Sequence, residues 1–413
     1  MPKNIMIAQS GGPTAVINAS LAGAIAGAKA FCEGGRIYGA RHGLEGLLHR
    51  QVLDLGALPW GEDDLEALKN TPSMALGSCR FKLPEPPHEV YERMAECLSE
   101  LSVDLFLYIG GNDSMDTVDK LSRYFDEKNL DIACIGIPKT IDNDLMETDH
   151  TPGYGSAARY VAHVMRELYC DVLVYDRPSV TIVEIMGRNT GWLTAASVLA
   201  RTGAGTAPHL IYLPETPFDP DQFLEAVRRL SKEHQVLLIA VSEGIRFASG
   251  EYVNHATLPR EDGFGHTALA GSGRYLEELV QKAFGFKTRT IELSLLQRSA
   301  AHLASSVDRR EAFLCGEQAV AWGVSGRRSV MVGMKRIQES PYLIEYVPIP
   351  VGRVANREKK IPKDWIAPSG TDLTEEFIAY AAPLLGDQVL PMFLRLDPSI
   401  LPDPFAPGEP RTP

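Results

Sequence analysis

The residues best suited to chemistry in this chain come in short clusters, each directly behind an apolar run. The densest is Pro138-Lys139-Thr140-Ile141-Asp142-Asn143-Asp144, which follows Ile135-Gly136-Ile137. Two carboxylates two residues apart suit a division of labour, one accepting a hydroxyl proton while the other helps to hold magnesium. Lys139 adds a compact positive charge for a phosphate oxygen. A bare Asp-Asn-Asp is also what a solvated polar loop looks like, so the cluster decides nothing alone.

Three further clusters repeat the arrangement. Ser10-Gly11-Gly12-Pro13-Thr14 follows the first apolar run and precedes a helical pattern. Paired glycines there let backbone amides approach a phosphate or diphosphate at a helix N-terminus, although an ordinary strand-to-helix turn has the same look. Gly110-Gly111-Asn112-Asp113-Ser114 closes a second run. Its amides suit a phosphate and its oxygens a magnesium ion, unless Asn112 or Asp113 simply caps the next helix. Met186-Gly187-Arg188 ends a third, and Arg188 suits the charge that develops on a transferring phosphoryl group or the role of a surface arginine. Later come Ser242-Glu243-Gly244, with a carboxylate for sugar hydroxyls, and Arg289 and Arg298, with guanidinium forks for a sugar phosphate. Singly, each of these is weak.

Elements able to position such clusters are legible in the periodicity. Apolar runs at 4–9, 36–40, 104–109, 132–137, 179–185, 208–213, 235–241, 288–293 and 328–333 read as strands. Segments 14–30, 114–126, 153–170, 189–202, 220–232 and 268–284 carry apolar residues at helical spacing. The alternation predicts a doubly wound α/β fold with mostly parallel sheets, in which ligands sit beyond the carboxyl ends of strands. At 413 residues the chain exceeds one compact core, so two lobes with a cleft between them are expected. The expected division is a first lobe over 1–150, a second over 151–335 and a C-terminal extension over 336–413, with soft boundaries that the chain may cross. The last residues, 401–413, carry five prolines and are expected to be extended.

Composition narrows the function. A net charge of −12 argues against a nucleic-acid partner, so an anionic ligand must meet local positive charge. Six scattered cysteines, with no CxxC pair, read as buried reduced thiols. Met1-Pro2-Lys3-Asn4 leads directly into Ile5-Met6-Ile7 without a signal-peptide pattern, and no run reaches membrane-spanning length. A cytoplasmic protein without a membrane partner is expected.

Together and in this order, SGGP, LGSCRF, GGNDS, PKTIDND, MGR, SEG and the segment from TRT to LLQR resemble the phosphofructokinase family, over about residues 4–335. The resemblance implies that family's two-lobed α/β fold, a magnesium cofactor and a homodimer or homotetramer. It makes Asp142 the general base on the 1-hydroxyl of fructose 6-phosphate, with Asp144 assisting the magnesium-bound arrangement and Thr140 touching substrate or the transferring phosphate. Met186, Gly187 and Arg188 match the substrate-binding stretch, Glu243 the sugar-hydroxyl ligand, and Arg289 and Arg298 the sugar-phosphate arginines. Gly11, Gly12, Arg80 and Gly111 fall at the phosphoryl donor, and Asn112, Asp113 and Asp144 at the metal.

Two positions bear on the donor. ATP-using members carry glycine where this chain has Asp113 and Lys139. A carboxylate at the first crowds and repels the α-phosphate of a nucleotide, and a lysine at the second reaches where pyrophosphate would lie. Both, with SGGP in place of SGGD, look like the pyrophosphate-dependent members. Three departures accompany them. Asn112 stands where aspartate is usual, Leu295 where the ATP enzymes place a phosphate-binding histidine, and Ser179 where they place an arginine, with Arg177 two residues away. The sequence therefore predicts reversible transfer from pyrophosphate to fructose 6-phosphate. The alternatives are an ATP-dependent phosphofructokinase and a catalytically silent sugar-phosphate-binding regulatory subunit.

Overall fold

The computed structural model describes residues 3–174, 176–203, 205–253, 271–387 and 390–394. Eleven strands form two sheets among these residues. In chain order they are β1 (Asn4–Gln9), β2 (Ile37–Ala40), β3 (Val52–Asp54), β4 (Val103–Gly110), β5 (Ala133–Pro138), β6 (Ser179–Ile185), β7 (Leu210–Tyr212), β8 (Val236–Ser242), β9 (Lys287–Glu292), β10 (Val330–Gln338) and β11 (Leu343–Pro350). The first sheet runs β11-β10-β5-β4-β1-β2-β3 and the second β7-β8-β6-β9. Every pairing is parallel except β2 with β3 and β10 with β11, the two outer pairs of the first sheet.

Continuous apolar runs make these strands because both faces of each sheet are covered. In the first sheet Ile5, Ile7, Leu105, Leu107 and Ile135 point to one core, and Met6, Ala8, Phe106, Tyr108 and Cys134 to the other. All are nearly or fully buried, and each large side chain contributes roughly 1.5–3 kcal/mol of transfer free energy. The second sheet repeats the scheme, with Val183, Ile185, Leu238 and Ala240 on one face and Val180, Ile182, Leu237 and Ile239 on the other.

Nine expected strands have counterparts, and β3 and β11 are additions. β11 escapes a periodicity reading because Pro348 and Pro350 interrupt it, which its edge position tolerates. Another addition is the helix Ser306–Val324, which packs on the helix Ile17–Phe31 through small residues rather than an apolar stripe. A Cβ at Gly23 would lie 1.8 Å from the Phe313 carbonyl oxygen, and one at Gly316 would lie 2.0 Å from that of Ser20. The expected helix over 189–202 is shorter, an α-turn Trp192–Ala195 continued as a 3-10 turn Ala196–Ala200.

The chain crosses between lobes. After β6–β9, the helix Ser306–Val324 and β10–β11 return to the first sheet, so position 335 falls inside β10 rather than between lobes. Residues 268–270 of an expected helix and the proline-rich 401–413 lie outside the described residues; the rest of that helix is Ser272–Phe284. Five of the six cysteines are buried, and Cys170, near the end of the helix Tyr154–Val172, is exposed rather than buried as expected. Among the described residues no helix is long and apolar enough to cross a membrane.

Candidate active site

The turns after β1, β4, β5, β6 and β8 line one cleft with a cavity of about 710 Å³. Its donor end is built around Lys139. The Lys139 ammonium, buried beneath the turn after β1, donates to the Gly12 carbonyl at 2.7 Å. A Cβ at Gly11, where φ is +77°, would meet Lys139 Nζ at 3.1 Å, and one at Gly12 would meet Arg298 Nη1 at 3.0 Å. The two glycines therefore leave room for two cations against the backbone. Burial pulls the Lys139 ammonium down to about 7; Asp142 and Asp144 oppose the fall, and Arg298 and Arg80 add to it. A bound anion would reverse that fall.

The turn after β4 sits beside it. Gly110 is the tight glycine, since its Cβ would lie 1.9 Å from Ser114 Oγ, which is 2.5 Å from Ser10 Oγ. Gly111 caps the helix Asn112–Glu127, whose first turn holds Asp113. That carboxylate stands at the positive end of a sixteen-residue helix, a place where an anion is favoured. Asn112 is committed elsewhere: its side-chain oxygen accepts from Asn356 N–H at 2.7 Å and its amide nitrogen donates to the Arg357 carbonyl.

Between the lobes lies the aspartate pair. Buried Asn143, at φ +55°, accepts from Thr151 N–H at 3.1 Å and donates to Tyr380 Oη at 2.9 Å, bracing the loop between Asp142 and Asp144. Asp142 N–H donates to Thr140 Oγ1 at 3.0 Å, and Thr190 Oγ1 donates to the Asp142 carbonyl at 3.3 Å. Burial raises the Asp142 carboxyl above its ordinary range against the pull of Lys139 and Arg188. Asp144 is pushed up to about 7 by burial, then by Asp142 and Glu358, and its Oδ1 is buried without a hydrogen-bond partner.

At the sugar end, the turns after β6 and β8 interlock. Ser242 Oγ donates to the Gly187 carbonyl at 2.5 Å, and a Cβ at Gly244 would lie 1.9 Å from the Arg188 carbonyl oxygen. Arg188 Nε is buried without a hydrogen-bond partner, leaving a guanidinium donor for a ligand. Glu243, pushed up to about 7 by burial and then by Asp142, accepts from Gly187 N–H at 3.4 Å.

The cavity thus gathers Gly11, Gly12, Arg80, Gly111, Asn112, Asp113, Lys139, Thr140, Asp142, Asp144, Met186, Arg188, Glu243 and Arg298. Gly187, at φ +152°, stands just behind the lining, where a Cβ would meet Ser242 Oγ and the Thr190 carbonyl oxygen at 2.6 Å. Arg289 is not brought in. It pairs in register with Thr181, four residues before the end of β6 and so roughly 13 Å from the cleft, and lines a small recess with Ser179 and Lys287. Arg177 is exposed. Sequence reasoning missed Lys82, Asn189, Thr190, Asn356, Glu358 and Lys360, which also line the cavity. Lys82, Asn189 and Thr190 flank recognised motifs, whereas the run from 353 to 360 reads as solvated charge.

Comparison with known proteins agrees with this geometry. The family model described as Phosphofructokinase matches residues 4–323. A pyrophosphate–fructose 6-phosphate 1-phosphotransferase of Xanthomonas campestris is 41% identical over 386 residues, covering 92% of this chain and 91% of that protein. One from Halomonas elongata is 37% identical, with 94% and 93% covered. The crystal structure of a pyrophosphate-dependent phosphofructokinase from Marinobacter aquaeolei superposes with a TM-score of 0.84 at 35% identity, over 95% of this chain and 93% of that one. A cleft built from strand-end glycine turns, a buried lysine and an aspartate pair, matched over these spans, places the chain in the phosphofructokinase family.

Proposed function

We propose that this enzyme moves a phosphoryl group from pyrophosphate to the 1-hydroxyl of fructose 6-phosphate, giving fructose 1,6-bisphosphate and phosphate, reversibly, within glycolysis or gluconeogenesis. The observation that carries the donor assignment is the pair of side chains at the donor end. Asp113 stands at the helix N-terminus that a further nucleotide phosphate would use, and Lys139, which lines the cavity, sits under the first glycine turn with its ammonium on the Gly12 carbonyl.

In the mechanism, Asp142 takes the proton of the 1-hydroxyl as the sugar oxygen attacks the near phosphorus of pyrophosphate. The bridging oxygen then leaves with the second phosphate. A carboxyl raised by burial is a better proton acceptor than an exposed one. Arg188 offsets charge on the moving group, Lys139 with Arg80 holds the leaving phosphate, and Glu243 and Arg298 position the sugar. The residues fit a divalent ion, for which we propose magnesium: the available donors are hard carboxylate oxygens, and Asp144 Oδ1 lacks a partner. Among the described residues no three His, Cys, Asp or Glu side chains close into a ligand cage, which suits an ion completed by water and phosphate oxygens. Asp144 and Asp113 would hold it, and it would neutralise charge on the phosphates.

The first lobe, with its returning helix and β10–β11, holds the donor, and the second lobe holds the sugar phosphate. We read the enzyme as a homodimer or homotetramer, because Arg289 lies outside its own chain's cavity and a second copy would bring one to a sugar phosphate. Free thiols suit the reducing cytoplasm. The forward test is turnover with pyrophosphate and with ATP at matched magnesium. Preference for pyrophosphate supports the assignment, preference for ATP overturns it, and binding of fructose 6-phosphate without turnover of either donor would leave a silent subunit.

A further inference from the structure

Beyond β11 the chain does not leave the site. Val351 and Val354 are buried beside the helix Asn112–Glu127, and residues 355–361 then run from the first lobe to the second. The crossing begins with a reciprocal amide clasp: Asn112 accepts from Asn356 N–H and donates to the Arg357 carbonyl. Asn356, at φ +59°, also donates its side-chain amide to Asp116 at 2.7 Å. Glu358 accepts from Asn189 at 2.7 Å on the opposite lobe. Lys359 N–H donates to the Asp144 carbonyl at 2.7 Å, and its own carbonyl accepts from Trp192 Nε1 at 2.8 Å. Asn356, Glu358 and Lys360 line the cavity while Lys359 turns inward to the Thr148 and Asp149 carbonyls.

We propose that residues 353–361 are a strap that closes the donor end of the cleft to donors longer than a diphosphate, and that Asn112 is the positioning residue that latches it. This rests on the pyrophosphate reading above. The clasp accounts for asparagine at position 112. An aspartate there would accept from Asn356 N–H, but it would set a carboxylate against the Arg357 carbonyl with no proton between them. Asn112 adjoins Asp113, so a donor that continued past the Asp113 carboxylate would next meet Asn356 and Arg357 seated on the same helix end. Two barriers then stand in series, one electrostatic and one steric.

The test measures kcat/KM for pyrophosphate, tripolyphosphate and ATP in the wild type, Asn112→Ala, Asn356→Gly, Asp113→Gly and the Asn112→Ala/Asp113→Gly double variant, with hydrogen exchange followed over 353–361. Asn356→Gly keeps the left-handed backbone and removes only the side-chain latch to Asp116. The strap predicts faster exchange in both asparagine variants and a roughly tenfold rise in tripolyphosphate use relative to pyrophosphate, equal to about 1.4 kcal/mol. The double variant should gain more ATP use than the two single changes multiplied together. Faster exchange with an unchanged donor ratio overturns the strap while leaving the pyrophosphate reading intact. Unchanged exchange overturns the clasp. A wild type that prefers ATP overturns both.

Discussion

Replacing Gly244 by alanine should disable transfer through a residue that itself touches no substrate. A Cβ there would lie 1.9 Å from the Arg188 carbonyl oxygen, 2.5 Å from its carbonyl carbon and 2.7 Å from its Cα. These are backbone atoms that cannot rotate away, so relief requires the turns after β6 and β8 to part by roughly 1.5 Å to reach ordinary contact. Ser242 Oγ on the Gly187 carbonyl resists that movement, so the strain concentrates on Arg188. A misplacement of about 1 Å in a positioned group costs on the order of 10²-fold in rate, and overpacking of this kind costs about 1–3 kcal/mol of stability. Steady-state kinetics and urea unfolding of Gly244→Ala read the two effects separately. The expected result is a kcat lower by about 10²-fold, with the pyrophosphate KM within about threefold of wild type. A folded variant with wild-type kcat would refute the placement of Arg188 at the transferring group.

Lys139→Met should lower kcat/KM for pyrophosphate by roughly 10- to 150-fold, the range of one charge-assisted hydrogen bond, with the fructose 6-phosphate KM unchanged. Its stability should hardly change, because Met is apolar where the ammonium bears a burial penalty; donor-specific kinetics and a melting curve check both. Asp113→Gly alone should raise ATP use only about threefold, since the strap still stands, as a donor-ratio assay would read. His150 sits between Asp149 at 2.8 Å and Glu311 at 2.7 Å; burial would lower it, but these carboxylates hold it at about 9. A raised histidine stabilises the fold fully below its unfolded value near 6.5, and that stability fades as pH rises through about 9. Denaturation midpoints from pH 6.5 to 9.5 should fall more steeply in the wild type than in His150→Gln.

The strand-end clusters were legible because a parallel sheet confines ligand chemistry to one edge, and each turn there must carry glycine or a capping residue in sequence order. Asp142, Lys139 and Arg188 follow their strands directly, so naming the strand located the side chain. Arg289 and Arg298 show where that logic fails. Both lie near β9, but a strand carries its residues away from the cleft at roughly 3.3 Å each, so only the one beyond the carboxyl end reaches the cavity. The strap was illegible for another reason. Asn356, Glu358 and Lys360 are polar because they edge a cavity, and a charged segment looks the same beside solvent. Likewise the helix Ser306–Val324 packs through Gly316, Ala312 and Ala319, whose small size rather than apolar spacing marks the contact.

Reversal of the reaction tests the donor assignment most directly. Fructose 1,6-bisphosphate would be incubated with magnesium and either inorganic phosphate or ADP, and the products followed by phosphorus NMR. Formation of pyrophosphate and fructose 6-phosphate with phosphate, and little ATP with ADP, is the predicted result. ATP formed from ADP while phosphate yields no pyrophosphate would contradict the account.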